Sequence, residues 1–436
     1  MTNVTLKKRK ASDDSCYNSL KKALCADLDF HGKVSQNAIH GWHPFPAKFP
    51  PQLPQFFIRN FTDENAVVLD PMFGSGTTLV EALQLGRRAI GCDIDPLSQL
   101  IMSAKLSHHN AVDALSTGHR IVEGAKRFYW ERKGELQRAL NQRFDEKTRS
   151  FIDYWFLPQQ QLELVAIQRS IESTSPQDMK LFFQVVFSST IIAKSGGVSL
   201  ARDLAHTRPH RDNEKSPNSA FVEFTKRLKN NVVAFTGTSQ MRNIAEIRSA
   251  SANKTGLPTS SVDLIVTSPP YANNAIDYMR AHKFALVWFG WKLDELTSIR
   301  AQYLGHDTTR GAEDSRLPNQ CERVLGKLAE LDARKATVLR RYFNDMSAVI
   351  EEMHRVLKSG KPAIVVVGTS QLRGIDVETQ KGLAAIGESA GFKLAGIGVR
   401  RLDRDRRMMP ARWNKDKHSQ IESRMHEEHV IGLVKS

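Results

Sequence analysis

The segment Asp70-Pro71-Met72-Phe73-Gly74-Ser75-Gly76-Thr77-Thr78 lies between a short apolar run, Ala66 to Asp70, and a helix-spaced run, Thr77 to Leu85. Glycines at such a turn let a ligand approach the backbone closely, and the first turn of the helix offers unpaired N–H groups. A phosphate-cradling loop needs Gly-Lys-Ser/Thr, and this loop has no lysine. A dinucleotide fingerprint needs a third glycine three residues after the second, where Leu79 stands. What remains is a nucleoside-type ligand with no pyrophosphate to cradle. Asp93 closes the next apolar run, Arg88 to Asp93, where it can accept from ribose hydroxyls. A glycine loop alone is equally a plain turn; a carboxylate at the following strand end tips the reading to a binding site.

The second segment, Thr267-Ser268-Pro269-Pro270-Tyr271, follows Leu264-Ile265-Val266 directly. Two prolines remove two donors and stiffen the loop as it leaves a strand. Such a loop can hold a hydroxyl, a carbonyl and an aromatic ring in fixed relation. In isolation it reads as a strand-ending turn; at the carboxyl end of the same sheet as the glycine loop it reads as part of a ligand site. Other patterns carry less. His426-Glu427-Glu428-His429 lacks the i, i+4 histidine spacing of a helical zinc pair, so no metal is expected. No cysteine follows a proline, which argues against a cysteine nucleophile attacking a ring carbon. His206-Thr207-Arg208-Pro209-His210-Arg211 is basic and turn-forming, and Arg208 and Arg211 are the candidate phosphate contacts. Tyr154-Trp155-Phe156 reads as core rather than as a base-stacking platform.

These loops need a scaffold. Ala66–Asp70, Thr77–Leu85 and Arg88–Asp93 form a strand, helix, strand unit, which winds right-handed. Strands recur at 262–266 and 363–367, the second after a helix at 342–357, and then at 393–399 and 430–434. The stretch between 97 and about 235 is mostly helical. The chain carries 62 Lys and Arg against 47 Asp and Glu, a net charge of +15, which points to a polyanion as partner, with salt-sensitive binding. Four scattered cysteines exclude a disulfide framework and suit a reducing compartment. The N-terminus lacks a secretory signal's apolar core, and the longest apolar-rich stretch, 181–193, is too short to span a bilayer. A soluble, cytoplasmic protein is expected, nucleoid-associated in a prokaryote.

Together the two loops resemble the class I S-adenosylmethionine-dependent amino-methyltransferases of nucleic-acid bases, nearest to the DNA N4-cytosine group with its Ser-Pro-Pro-Tyr loop. The N6-adenine group more often has Asp or Asn in place of Ser268. His43-Pro44-Phe45-Pro46-Ala47-Lys48-Phe49-Pro50 resembles the family's leading motif, which lies against the methionine end of the cofactor. The corner 355–360 and the segment 424–435 resemble the family's passage into the fifth strand and its closing strand. The likeness implies a Rossmann-like α/β sheet, mostly parallel with an antiparallel final strand, carrying a large helical insertion. It implies S-adenosyl-L-methionine as cofactor, with Lys48, Asp70, Pro71, Phe73, Gly74, Gly76, Thr77, Asp93 and Ile94 as its contacts. Asp70 would orient the loop or meet the methionine ammonium. Ser268 and Pro269 would accept from the target amine, Pro270 would stiffen the loop, and Tyr271 would stack on a flipped base. Double-stranded DNA is the implied partner, alongside a cognate restriction endonuclease.

Two features depart from the family pattern. The cofactor motifs precede the catalytic loop, the reverse of many N4-cytosine enzymes, and the long insertion separates the Asp93 strand from the Ser268 strand. The expected organisation is a polar basic tail over 1–35, loose or forming a short helix, a first methyltransferase part over 36–106 and a helical insertion over 107–240 that could read the target. A second methyltransferase part follows over 241–436, with a polar insertion near 292–340. Two other readings stay open: an N6-adenine DNA or RNA-base methyltransferase, and a catalytically silent nucleic-acid-binding module.

Overall fold

The computed structural model describes residues 13–31, 38–46, 48–107, 110–193, 196–202, 204, 209–235, 245–272, 277–306, 316–368, 370–402 and 427–436. Its main sheet has seven strands: β1 (Val67–Asp70), β2 (Arg88–Cys92), β3 (Ala245–Arg248), β4 (Leu264–Thr267), β5 (Pro362–Gly368), β6 (Phe392–Arg401) and β7 (Glu427–Lys435). In space they run β6-β7-β5-β4-β1-β2-β3. β7 is antiparallel to both its neighbours, and β1 to β5 pair parallel. The chain leaves β1 outward through β2 and β3, then returns to β4 on the other side. That reversal opens a crevice at the carboxyl ends of β1 and β4, where open α/β sheets take their ligands.

The apolar runs of β1, β4 and β5 belong to strands covered on both faces. With side chains alternating, Val68, Leu264, Val266, Ile364 and Val366 enter one core while Leu69, Ile265, Val365 and Val367 enter the other. The first core is roofed by α2 (Gln52–Phe61), α3 (Thr77–Gln84), α4 (Pro96–Leu106) and the inserted helices α5 (Ala111–Glu131), α6 (Lys133–Arg143), α7 (Glu146–Trp155), α8 (Pro158–Glu172), α9 (Gln177–Ile191) and α10 (Ala220–Val232). The insertion therefore shares its core with the sheet. α11 (Tyr278–Leu286) and α12 (Leu293–Ala301) follow the Ser268 loop on that side. The second core is covered by α13 (Asn319–Leu331), α14 (Ala333–Val356) and α15 (Thr379–Ser389).

The structure departs from the expected organisation at three points. Within 1–35 the chain is not a loose tail throughout, because α1 (Asp13–Leu24) buries Leu20, Ala23 and Leu24, and Leu28 follows. It settles on glycines of β6 and β7: a Cβ at Gly398 would lie 2.7 Å from the Leu24 carbonyl oxygen. The Lys7 to Lys10 run lies outside the described residues. The span 292–340 is no polar excursion either, since Cys321, Leu325, Leu328 and Leu339 form an apolar stripe in the second core. Finally β3, Ala-Glu-Ile-Arg, gave no strand signal: it is an edge strand paired on one side, with partly exposed residues. Among the described residues no helix is long and apolar enough to cross a membrane, and no group of three or more His, Cys, Asp or Glu could hold a metal.

Candidate functional site

The glycine loop leaves β1 through Asp70, whose buried carboxylate fastens it. Its Oδ1 accepts from Met72 N at 3.1 Å and from Thr267 Oγ1 at 2.7 Å, joining the ends of β1 and β4. Burial raises the Asp70 pKa to about 6. Of the two roles expected for Asp70, this geometry supplies the orienting one. Thr78 Oγ1 donates to Val266 O at 3.1 Å, tying the start of α3 to β4 as well. From below, the buried Lys105 ammonium supports the loop by donating to Ser75 O at 2.7 Å, and desolvation holds its pKa well below the usual lysine range.

Gly74 and Gly76 both have positive φ, +50° and +79°, but they serve different ends. A Cβ on Gly74 would meet the Phe45 ring at 3.1 Å on the cavity wall. A Cβ on Gly76 would overlap Met102 Sδ of α4, so this glycine serves packing beneath the loop rather than a ligand. Gly76→Ala should therefore cost about 1–3 kcal/mol of stability through overpacking and left-handed backbone strain. Thermal unfolding would show it as a lowered midpoint, and an unchanged midpoint would contradict the packing described. Phe73 also turns away from the crevice, its ring packed over Gly91 of β2.

Asp93 faces the crevice at the end of β2. Its Oδ2 accepts from Gly74 N at 2.8 Å and its Oδ1 from Asp95 N at 2.9 Å, which orients the carboxylate along the wall. Burial, then the Asp95 charge, raises its pKa to about 7. Asp95 caps α4, with Oδ1 accepting from Leu97 N at 2.8 Å. Its Oδ2 accepts from His282 Nδ1 at 2.5 Å and from the Tyr303 hydroxyl at 2.8 Å. The cavity itself, about 940 Å³ including its open mouth, brings together Pro71, Gly74, Asp93, Ile94, Ser268 and Pro270. Pro269 and Thr77 are buried beside it without lining it.

Besides Phe73 and Gly76, two more expected residues are directed elsewhere. Lys48 is exposed and donates to His40 O at 2.6 Å and His43 O at 3.2 Å, so Phe45 is the residue of its segment that reaches the cavity. Tyr271 is 8% exposed and does not line the cavity. Its hydroxyl meets the Glu428 carboxylate, which is paired with Arg400, and burial drives its pKa well above the usual tyrosine range. A stacking face for a base is thus not presented by Tyr271 in this structure. The rings on the wall are Phe45, Tyr278 and Tyr303, with Phe45 and Tyr278 stacked at 5.2 Å. Sequence reasoning missed Tyr278, Tyr303 and the 250–252 turn after β3, because none sits in a local motif. Arg208 lies outside the described residues; Arg211 sits on a short ribbon pairing 201–202 with 210–211, its guanidinium 4.5 Å over the Tyr154 ring.

The residues present fit S-adenosylmethionine. A carboxylate is available for ribose hydroxyls, a loop is bare of Cβ at Gly74, and the rest of the lining combines aromatic rings such as Phe45 and Tyr278 with polar and charged groups such as Asp277, Arg280 and Gln302. Ser98 Oγ and Asp277 Oδ1 face this cavity buried and, among the described residues, without a hydrogen-bond partner. Buried polar atoms of this kind are normally satisfied by a ligand or water.

Comparison with known proteins gives the same reading. Residues 7–101 match the N6/N4 methyltransferase family model, described as DNA methylase. Type II methyltransferase M.MvaI of Kocuria varians is 26% identical over 396 residues, covering 84% of this chain and 85% of that protein. Type II methyltransferase M.AvaI of Nostoc sp. is 25% identical over 371 residues, covering 76% and 74% respectively. Type II methyltransferase M.MjaII of Methanocaldococcus jannaschii is 36% identical over 103 residues, 24% of this chain and 19% of that protein. With the sheet order and the crevice already described, these matches make the chain similar to Type II DNA methyltransferases over most of its length, and similar over residues 7–101 to the N6/N4 DNA methylases.

Proposed function

We propose that the protein methylates the exocyclic N4 amine of cytosine in DNA, within a restriction–modification pair. The observation that carries this is Ser268 on the wall of the same cavity as Asp93 and Gly74. The cofactor supplies a methyl already activated on sulfonium, so the residues have only to prepare the amine. That amine is a poor nucleophile because its lone pair is delocalised into the ring. Ser268 Oγ, on the cavity wall, accepts one of its hydrogens, which favours a tetrahedral nitrogen and aims the lone pair at the methyl. With Asp93 and Gly74 holding the cofactor, transfer of its methyl to the amine nitrogen would leave one proton to be lost to solvent at the open mouth of the cavity. The base must leave the duplex to reach this crevice, at a cost of about a few kcal/mol.

A neutral serine suits cytosine, whose electron-poor amine donates strongly, whereas adenine enzymes of the family more often place Asp or Asn there. Arg211, with the neighbouring Arg208, contributes phosphate contacts from the inserted region, and the cognate endonuclease would share the recognition sequence. Incubation with labelled cofactor and duplex DNA, followed by digestion to nucleosides and mass spectrometry, should yield N4-methylcytosine. N6-methyladenine alone would overturn the base assignment and leave the enzyme class standing.

A further inference from the structure

The wall facing the glycine loop is built by residues 277–304, the segment that follows the catalytic loop. It is stapled internally: Asp277 Oδ2 accepts from Arg300 Nε at 2.7 Å and Arg280 Nε at 3.0 Å. Toward the cofactor strands it is held by one carboxylate, Asp95, through His282 of α11 and Tyr303 just beyond α12. The His282 ring is buried and packs 5.1 Å from Phe45, which in turn touches the Gly74 position. Asp95 thus joins elements 187 and 208 residues apart in sequence, and its backbone N–H orients Asp93.

We propose that Asp95, His282 and Tyr303 form a latch that closes this wall over the cofactor and sets how long the cofactor stays bound. They are positioning residues, acting through the wall and through Asp93. The proposal rests on reading the cavity as the cofactor site. Tyr303→Phe removes the hydroxyl and keeps the ring, so α4 retains its cap and the wall its packing. A hydrogen bond to a charged acceptor of this kind corresponds to a change on the order of ten-fold or more. S-adenosylmethionine should dissociate about ten-fold faster in stopped-flow measurements, and its KM should rise similarly. The maximal rate at saturating cofactor should fall much less, and DNA affinity should hold. His282→Asn places an amide nitrogen near the Nδ1 position and should retain binding that His282→Leu loses.

The melting temperature of the cofactor-free variant serves as the folding control, because a merely structural hydroxyl would lower it without a selective change in cofactor release. Unchanged release and KM in Tyr303→Phe would overturn the latch if Asp93→Ala still weakens cofactor binding. If Asp93→Ala leaves binding unchanged in a folded protein, the reading of the cavity fails, and the latch falls with it.

Discussion

Ser268→Ala should lower the rate of methyl transfer by roughly 10²-fold, the effect of removing one preorganised hydrogen-bonding group aimed at a reacting centre. Binding should change little, because the hydroxyl's partner gains its full value only as the nitrogen becomes tetrahedral. Single-turnover transfer and equilibrium DNA binding, measured side by side, separate the two. A fall in kcat with little change in DNA affinity is the signature of an interaction made mainly in the transition state. The substitution is mild for the fold, since Ser268 stands at the cavity surface after β4 and Ala removes one oxygen. Full activity in the variant would remove Ser268 from the chemistry while leaving the cofactor site intact.

The second large effect belongs to Asp93. Losing charge-assisted bonds to ribose hydroxyls costs about 1.5–3 kcal/mol, which is ten-fold to over a hundred-fold in cofactor affinity. Calorimetry on folded Asp93→Ala would detect it, and unchanged affinity would remove Asp93 from the site. The raised pKa adds a pH dependence. The carboxylate is the better acceptor, so affinity should fall as pH drops below about 7, approaching ten-fold per unit. Stability should move the opposite way. The folded-state pKa lies above the reference 3.8, so this group's favourable contribution is complete below about 3.8 and is lost as pH rises through about 7. Asp93→Asn should flatten both profiles in the range from pH 5 to 8, and an unchanged slope would assign the titration to another group.

What could be read from the sequence was local. Asp70, Gly74 and Asp93 lie within 24 consecutive positions around one strand, helix, strand unit, so spacing alone places them at one crevice. Ser268 could be added because its strand is a continuous apolar run that had to be central. Directions of side chains were harder. Tyr271 occupies the expected loop, yet its ring is captured by Glu428 from β7, a partner no local pattern announces. Gly76 follows the ligand-loop pattern and is required by Met102 of α4 instead. The opposite wall was illegible because Tyr278 and Tyr303 have no spacing signature: Tyr303 is set by a carboxylate far away in sequence, and Tyr278 by stacking on Phe45. The packing of the N-terminal helix is not legible in the sequence, because a few leucines among lysines and aspartates suffice when the surface beneath is glycine.

That helix has a consequence for how the protein is made. Asp29, just after it, accepts from Arg401 N across 372 positions, and the helix itself rests on the last two strands of the sheet. At about 5–20 residues per second, the ribosome takes roughly 20–80 s to deliver those strands. For that time the leucines of the first helix have no surface to cover. Completion of the sheet is therefore a late event in synthesis, and the N-terminal helix can dock only once the last strands have been made.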